Sequence, residues 1–217
     1  MTGERRQSYG EDREPGDRVI NLIGDAIETL LRCATEVCGG GSPVPPGGTG
    51  PPVSVPAAAL PGLAATALGA RYAAPGQPPP PRVVWTDGDS EVLVHLDKTE
   101  VVTFPGLVLI ALTLETDETG RGQLVVPFAV GSPDSPAGLV AVTEARPRGP
   151  SPLADRWGEA VTAAAWLALL DVAHAMALRS GTDATGARLI PGAITSDGAA
   201  LSVTPQARHP ADQVPGR

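Results

Sequence analysis

One stretch decides the fold: residues 83–115 read VVWTDGDSEVLVHLDKTEVVTFPGLVLIALTLE. From Glu91 to Asp97 apolar and polar residues alternate, and this period of two is typical of a β-strand with one buried face. Two turn signals, at 87–88 and at 105–106, separate the runs. The stretch therefore predicts antiparallel strands that are joined by tight turns.

The same pattern continues further along the chain. The predicted strands are Val83–Trp85, Glu91–Asp97, Val101–Phe104, Leu107–Glu115, Gln123–Gly131 and Leu139–Glu144. Strands connected in this way form an antiparallel meander, here of about five strands. Pro127 lies inside one run and has no backbone N–H to donate. We therefore expect that strand to lie at an edge of the sheet or to carry a bulge.

A long helix follows the strands. Ser151-Pro152 is a start signal, because proline is favoured at the first helical position, and Gly181 is a stop signal after Ser180. Between these signals, residues 160–170 contain a single polar side chain. A helix that is apolar around its whole circumference is buried on more than one side. We expect a second layer, or a partner, to cover what one sheet leaves open.

The C-terminal part of the chain predicts a small hairpin. Residues 188–194 and 200–203 flank a turn at 196–198, and this hairpin is expected to extend the sheet. The predicted fold is α+β, a domain over residues 83–205 in which the meander packs on the long helix. Residues 206–217 are expected to form a disordered tail.

A tract rich in proline and glycine precedes this domain. Residues 39–82 hold twelve prolines and nine glycines in forty-four positions, a density that does not support a continuous helix or a central strand. We expect a linker here, interrupted by a possible short helix over Leu60–Ala74 that opens at Pro61. Residues 77–81 are expected to form a stiff polyproline spacer.

An amphipathic helix is predicted over residues 17–38, after a disordered tail at 1–16. Asp17 is its N-cap and the glycines from Gly39 end it. The apolar stripe recurs at steps of three and four and consists of Ile20, Ile23, Ile27, Leu30, Leu31 and Ala34. Cys33 and Cys38 lie five apart on this helix and point in different directions, so we expect no disulfide between them.

Charge and composition exclude several functional classes. The net charge is −8 and Lys98 is the single lysine, so the chain lacks the basic patch that phosphate binding requires, and we expect no nucleic-acid partner. Scarce lysine beside abundant Arg, Ala, Gly and Pro is typical of a high-GC bacterial genome. No secretory signal and no run of 18 apolar residues is visible, which predicts a cytoplasmic protein without a membrane span.

The best candidates for chemistry are Asp171 and His174, three residues apart on one face of the long helix. A carboxylate that orients an imidazole forms a general base or a metal ligand. No nucleophile or further ligand accompanies them, so we interpret them as a structural polar pair in the core or at an oligomer interface. His95, with Glu91 and Asp97, is predicted on the solvated face of a strand. We assign no catalytic residue, no metal ligand and no cofactor.

Two functional hypotheses follow. The first is a non-enzymatic accessory or assembly protein that contacts a protein partner, or a second copy, through residues 17–38 and the 152–180 helix. It depends on the prediction that these helices present more apolar surface than the sheet can cover. The alternative is a small-molecule-binding domain or a hydrolase-like enzyme, with a pocket near Asp171 and His174.

Overall fold

The computed structural model describes residues 51–134, 146–181 and 189–207, together with the backbone of residues 18–21. The elements in chain order are β1 (Arg18–Asn21), β2 (Val53–Pro56), a short 3-10 helix (Ala57–Ala59), α1 (Leu60–Ala70), β3 (Arg82–Asp87), β4 (Ser90–Phe104), β5 (Leu107–Thr116), β6 (Gly120–Ala129), α2 (Ser151–Arg179), β7 (Leu189–Ser196) and β8 (Ala200–Ala207). The chain is α+β, as the sequence predicts.

The larger sheet has five strands in the order β1-β3-β4-β5-β6, and β3 to β6 form an antiparallel meander. Its turns are those the sequence indicates, with Gly88 and Gly106 at positive φ. The two runs predicted over residues 91–104 form one long strand, β4, whose register shifts between His95 and Glu100. Pro127 lies in β6, which ends the order of the larger sheet among the described strands.

The N-terminal strand corrects the start of the predicted amphipathic helix. Residues 18–21, expected to be helical, form β1, which pairs in parallel with β3 so that Arg18 lies opposite Val83. In these four residues, pairing with the edge of the sheet determines the backbone conformation, although the apolar residues recur with a helical period. The rest of that predicted helix, residue 17 and residues 22–38, lies outside the described residues, as do the predicted strand at 139–144 and the predicted tail at 1–16. The predicted tail at 206–217 begins too early, because residues 206 and 207 pair within β8, and its remainder lies outside the described residues.

The C-terminal hairpin does not join the larger sheet as a further strand, contrary to our expectation. Strands β7 and β8 pair with β2 to form a second antiparallel sheet in the order β2-β8-β7. Among the described residues, a single isolated bridge, between Gly131 and Thr195, joins β7 to the segment that follows β6. The hairpin turns away because β2, which comes from the predicted linker, supplies the hydrogen-bonding partner for β8.

The described part of the predicted linker, residues 51–82, is therefore structured. It contributes β2 to the second sheet, and the short predicted helix is present as α1, with proline in its first turn. Leu60, Ala64 and Leu68 on α1 are buried in the core. The polyproline run passes close to α1, since a Cβ on Gly69 would lie 2.6 Å from the Cβ of Pro79.

The long helix α2 occupies the centre of the molecule. It contacts β5 and β6 on one side, the second sheet on another, and α1 on a third. Trp166 packs against Phe128 of β6 with 5.3 Å between the ring centroids. The second layer that the apolar helix requires is thus supplied by the chain itself. By length and apolarity α2 passes the test for a membrane span, but 72% of its apolar window is buried inside the protein, as in the core helix of a soluble fold.

The two faces of the larger sheet differ. The front face carries the alternate residues that pack on α2, among them Val94, Ile110 and Phe128, and these belong to the hydrophobic core. The opposite residues of the same strands form the back face, on which Val84 pairs with Leu93. The alternation of a strand places consecutive side chains on opposite faces. The candidate sites lie on the back face and along the outer side of α2.

Candidate functional site

An apolar strip lies at one end of the back face. It consists of Val102 and Phe104 on β4 and of Leu109 and Leu107, their direct cross-strand partners on β5. Val102 is 46% exposed and Phe104 is 47% exposed, and the two leucines are half-buried. Leu178 is the third large hydrophobic side chain exposed in the described part of the chain. Two of these three side chains therefore share one patch.

The sequence contains a signal for this strip, which the predicted pattern of buried faces left out. The run from Val101 to Phe104 has apolar residues in both alternating sets, since Val101 packs toward the core while Val102 and Phe104 point to the back. A strand with apolar residues on both faces requires a second covering layer or leaves one face open to a partner.

The other end of the back face carries a polar cluster. His95 is 3% exposed, and its Nε2 donates to Glu115 Oε2 over 2.9 Å. Arg121 donates to the same oxygen from Nε and Nη2, over 2.9 Å and 2.7 Å. His95 is thus buried, and its predicted place on a solvated strand face is wrong. The sequence pattern missed this because the partners come from the neighbouring strands β5 and β6.

The charges of this cluster favour an ionised carboxylate. The Arg121 guanidinium lowers the pKa of Glu115 below its ordinary value, desolvation opposes this shift, and His95 adds to the lowering. A carboxylate that is held by a guanidinium and an imidazole on one oxygen is a charge-assisted structural network. It fixes the pairing of β4, β5 and β6 at this end of the sheet.

Asp171 and His174 are not brought together as a pair. Asp171 Oδ2 accepts from Arg71 Nη2 of α1 at 2.6 Å, and both side chains are partly exposed. His174 Nδ1 donates to the carbonyl of Leu170, one turn earlier on the same helix, over 2.9 Å. Neither side chain contacts His95. We interpreted Asp171 and His174 as a structural polar pair. In the structure Asp171 instead links α2 to α1, and His174 forms a hydrogen bond within α2.

An apolar groove runs between α1 and α2 beside this ion pair, with a volume of about 390 Å³. Leu63, Ala67, Ala70, Val172 and Met176 form its apolar wall, whereas Arg71, Asp171 and Arg179 lie at its rim. Alanine at facing positions of both helices leaves space that larger side chains would fill. This groove lies beside Asp171, but it is between two helices and not between the sheet and a helix, and neither His174 nor His95 lines it.

Metal chemistry finds no support in the described ranges. Within them, no group of three or more His, Cys, Asp or Glu side chains is placed to hold a metal ion. Comparison with known protein families, with curated proteins and with solved structures finds no match to this chain. The two surfaces described above, the apolar strip and the groove, are the features on which a function can be argued.

Proposed function

We propose that this protein is a non-enzymatic assembly protein that self-associates through the apolar strip on the back face of its larger sheet. One observation carries the proposal: Val102 and Phe104 stand side by side on β4, about half exposed, and their cross-strand neighbours Leu107 and Leu109 extend them into one patch. Contiguous exposed apolar surface on a soluble protein marks an interaction site.

A second copy of the chain is the occupant that the chemistry of the strip favours. None of its four side chains is charged, so the strip matches itself without any like-charge conflict at its centre. Closed two-fold dimers are the commonest oligomers, and in them the same patch lies on both sides of the contact. A two-fold contact would place Phe104 of one copy against the strip of the other, in the desolvated centre where aromatic residues contribute most.

This proposal keeps the hypothesis of an assembly protein but places the contact on the apolar strip and not on the 152–180 helix. The 152–180 helix contributes less than expected, because most of its apolar surface is buried inside the chain by two sheets and α1. A contribution of residues 17–38 to association stays a prediction, since 22–38 lie outside the described residues. The strip meets the same physical requirement, apolar surface that the fold itself does not cover.

Light scattering on the full chain tests the proposal. We expect the wild-type protein to have the mass of a dimer, and Phe104→Asp to have the mass of a monomer with an unchanged far-UV spectrum. Leu178→Asp is the matched control, because it places the same acid at an equally exposed apolar position that belongs to α2 and not to the strip. A wild-type monomer, or a Phe104→Asp variant that stays dimeric, would overturn the proposal.

Salt dependence separates association through the apolar strip from association through charge pairs. Each copy carries a net charge of −8, so two copies repel at long range. Raising the ionic strength from about 0.05 M to about 0.5 M screens this repulsion, and the dimer is expected to strengthen. A dimer that weakens with salt would show that charge pairs, and not the apolar strip, hold the two copies together, and it would contradict the proposal.

A further inference from the structure

The groove between α1 and α2 has the size and lining of a small-molecule site. Its volume of about 390 Å³ lies within the range of roughly 300–1,000 Å³ that is usual for such sites. Both helices present small or aliphatic side chains to it, among them Ala67 and Ala70 on α1 and Val172 on α2. An unbranched alkyl chain suits a groove of this kind, because it lies between two helices without needing a polar partner.

The charges at the rim are not balanced. Arg71 is neutralised by Asp171 at 2.6 Å, with both side chains partly exposed. Arg179, the last residue of α2, forms no ion pair with any described residue, so the three rim charges sum to one positive charge. A guanidinium binds a carboxylate in a two-pronged, charge-assisted contact. The rim thus favours a ligand with an anionic end.

We infer that this groove binds a medium-chain fatty acid, with the alkyl chain along the alanine-rich wall and the carboxylate on Arg179. The Arg71–Asp171 ion pair ties α1 to α2 beside the chain and so fixes the width of the groove. Asp171 already occupies Arg71, so a ligand carboxylate cannot bind there. Arg179 is therefore the one guanidinium of the groove that can bind an anionic group. The inference does not depend on the proposed self-association, because the groove and the apolar strip have no residue in common.

Titration calorimetry on the full chain tests the inference, with decanoate as the probe, held below its micelle concentration, and decanol as the uncharged comparison. We expect Arg179→Gln to weaken decanoate binding about tenfold or more, since it removes a charge-assisted hydrogen bond, and to leave decanol binding unchanged. Ala175→Trp replaces an exposed alanine of the lining with a ring that fills the groove, and it should abolish binding of both probes.

Arg156→Gln is the matched control. Arg156 is another partly exposed arginine of α2, and it contacts Asp87 far from the groove, so its loss should leave both affinities unchanged. Thermal melts of each variant report whether the fold is intact. Absence of decanoate binding to the wild-type chain overturns the inference, as does an Arg179→Gln variant with wild-type decanoate affinity. Both groove variants should keep the wild-type mass in light scattering, so failure here is distinguishable from failure of the proposed self-association.

Discussion

The two faces of the larger sheet share one hydrogen-bonded ladder but differ in how completely they are covered, since the back face is buried at positions such as Val84 and Ala111 and open at the strip. The front face is a continuous apolar layer in which residues such as Ile110 and Phe128 are at most 1% exposed. The back face of the same strands carries the buried His95, the charged Glu115 and the half-exposed Phe104. The backbone geometry is equal on both sides, so the difference lies in the side chains alone.

Covered apolar residues stabilise the fold, whereas uncovered ones are available for contact. Apolar area that is removed from water stabilises a protein by about 25 cal/mol per Å². The front face has gained this free energy already, through packing against α2 and α1. The strip on the back face has gained only part of it, because Val102 and Phe104 remain about half exposed. The remainder is available to a binding partner.

The largest expected loss of stability comes from a substitution on the front face. Phe128→Ala should lower the free energy of unfolding by about 3–5 kcal/mol, because a fully buried ring in contact with Trp166 is replaced by a cavity. The same substitution on the back face, Phe104→Ala, should cost less than about 1 kcal/mol in the monomer. Urea denaturation of both variants, at protein concentrations where the chain is monomeric, measures the difference. Equal losses would contradict the division between a stabilising face and a contact face.

A charge placed at the centre of the back face tests whether that part of the face is closed to water. Ala111 is 6% exposed, so Ala111→Asp should lower the free energy of unfolding by about 3 kcal/mol, the cost of burying an unpaired carboxylate. Ala129→Asp makes the same change on the same face at a half-buried position of β6, and it should cost less than about 1 kcal/mol. Chemical denaturation near neutral pH, at concentrations where the chain is monomeric, measures both, because Ala129 lies opposite Leu107 of the strip. A small loss for Ala111→Asp would show that the whole back face, and not the strip alone, is open to water.

The elements that the sequence predicted well have local signals. The hairpin turns at 87–88 and 105–106 and the start of α2 at Ser151-Pro152 depend on residues next to each other in the chain. Turn geometry and helix capping act over four residues or fewer, so one sequence is enough to show them. The apolar circumference of α2 also predicted correctly that a second layer covers it.

The features that the sequence missed are formed by distant residues. Ser54 and Ser202 are 148 residues apart, yet their hydroxyls lie 2.7 Å from each other where β2 pairs with β8. The Arg71–Asp171 pair spans 100 residues, and this contact separates Asp171 from a role with His174. Hydrophobic periodicity describes which face of an element is buried and carries no information about its neighbour. For this reason the sequence predicted a linker where β2 lies inside the proline-rich tract.

The smallest expected effect concerns the polar cluster of the back face. The pKa of Glu115 is lower in the folded chain than in the unfolded chain, chiefly because of Arg121, so the ionised carboxylate stabilises the fold. This contribution is fully present above the ordinary pKa of a glutamate, about 4.3, and it is lost as the pH falls through the lower folded value. Glu115→Gln should therefore cost about 1 kcal/mol at pH 7 and progressively less below about pH 4.

Urea denaturation of wild type and Glu115→Gln as a function of pH measures this dependence. Glu118→Gln is the control, since Glu118 is exposed in the turn between β5 and β6 and should show no such change. A difference in the free energy of unfolding between wild type and Glu115→Gln that stays constant from pH 7 to below about pH 4 would mean that the network stabilises the fold through packing and not through charge. In that case the two faces of the sheet would be alike in one respect, because packing alone would stabilise both.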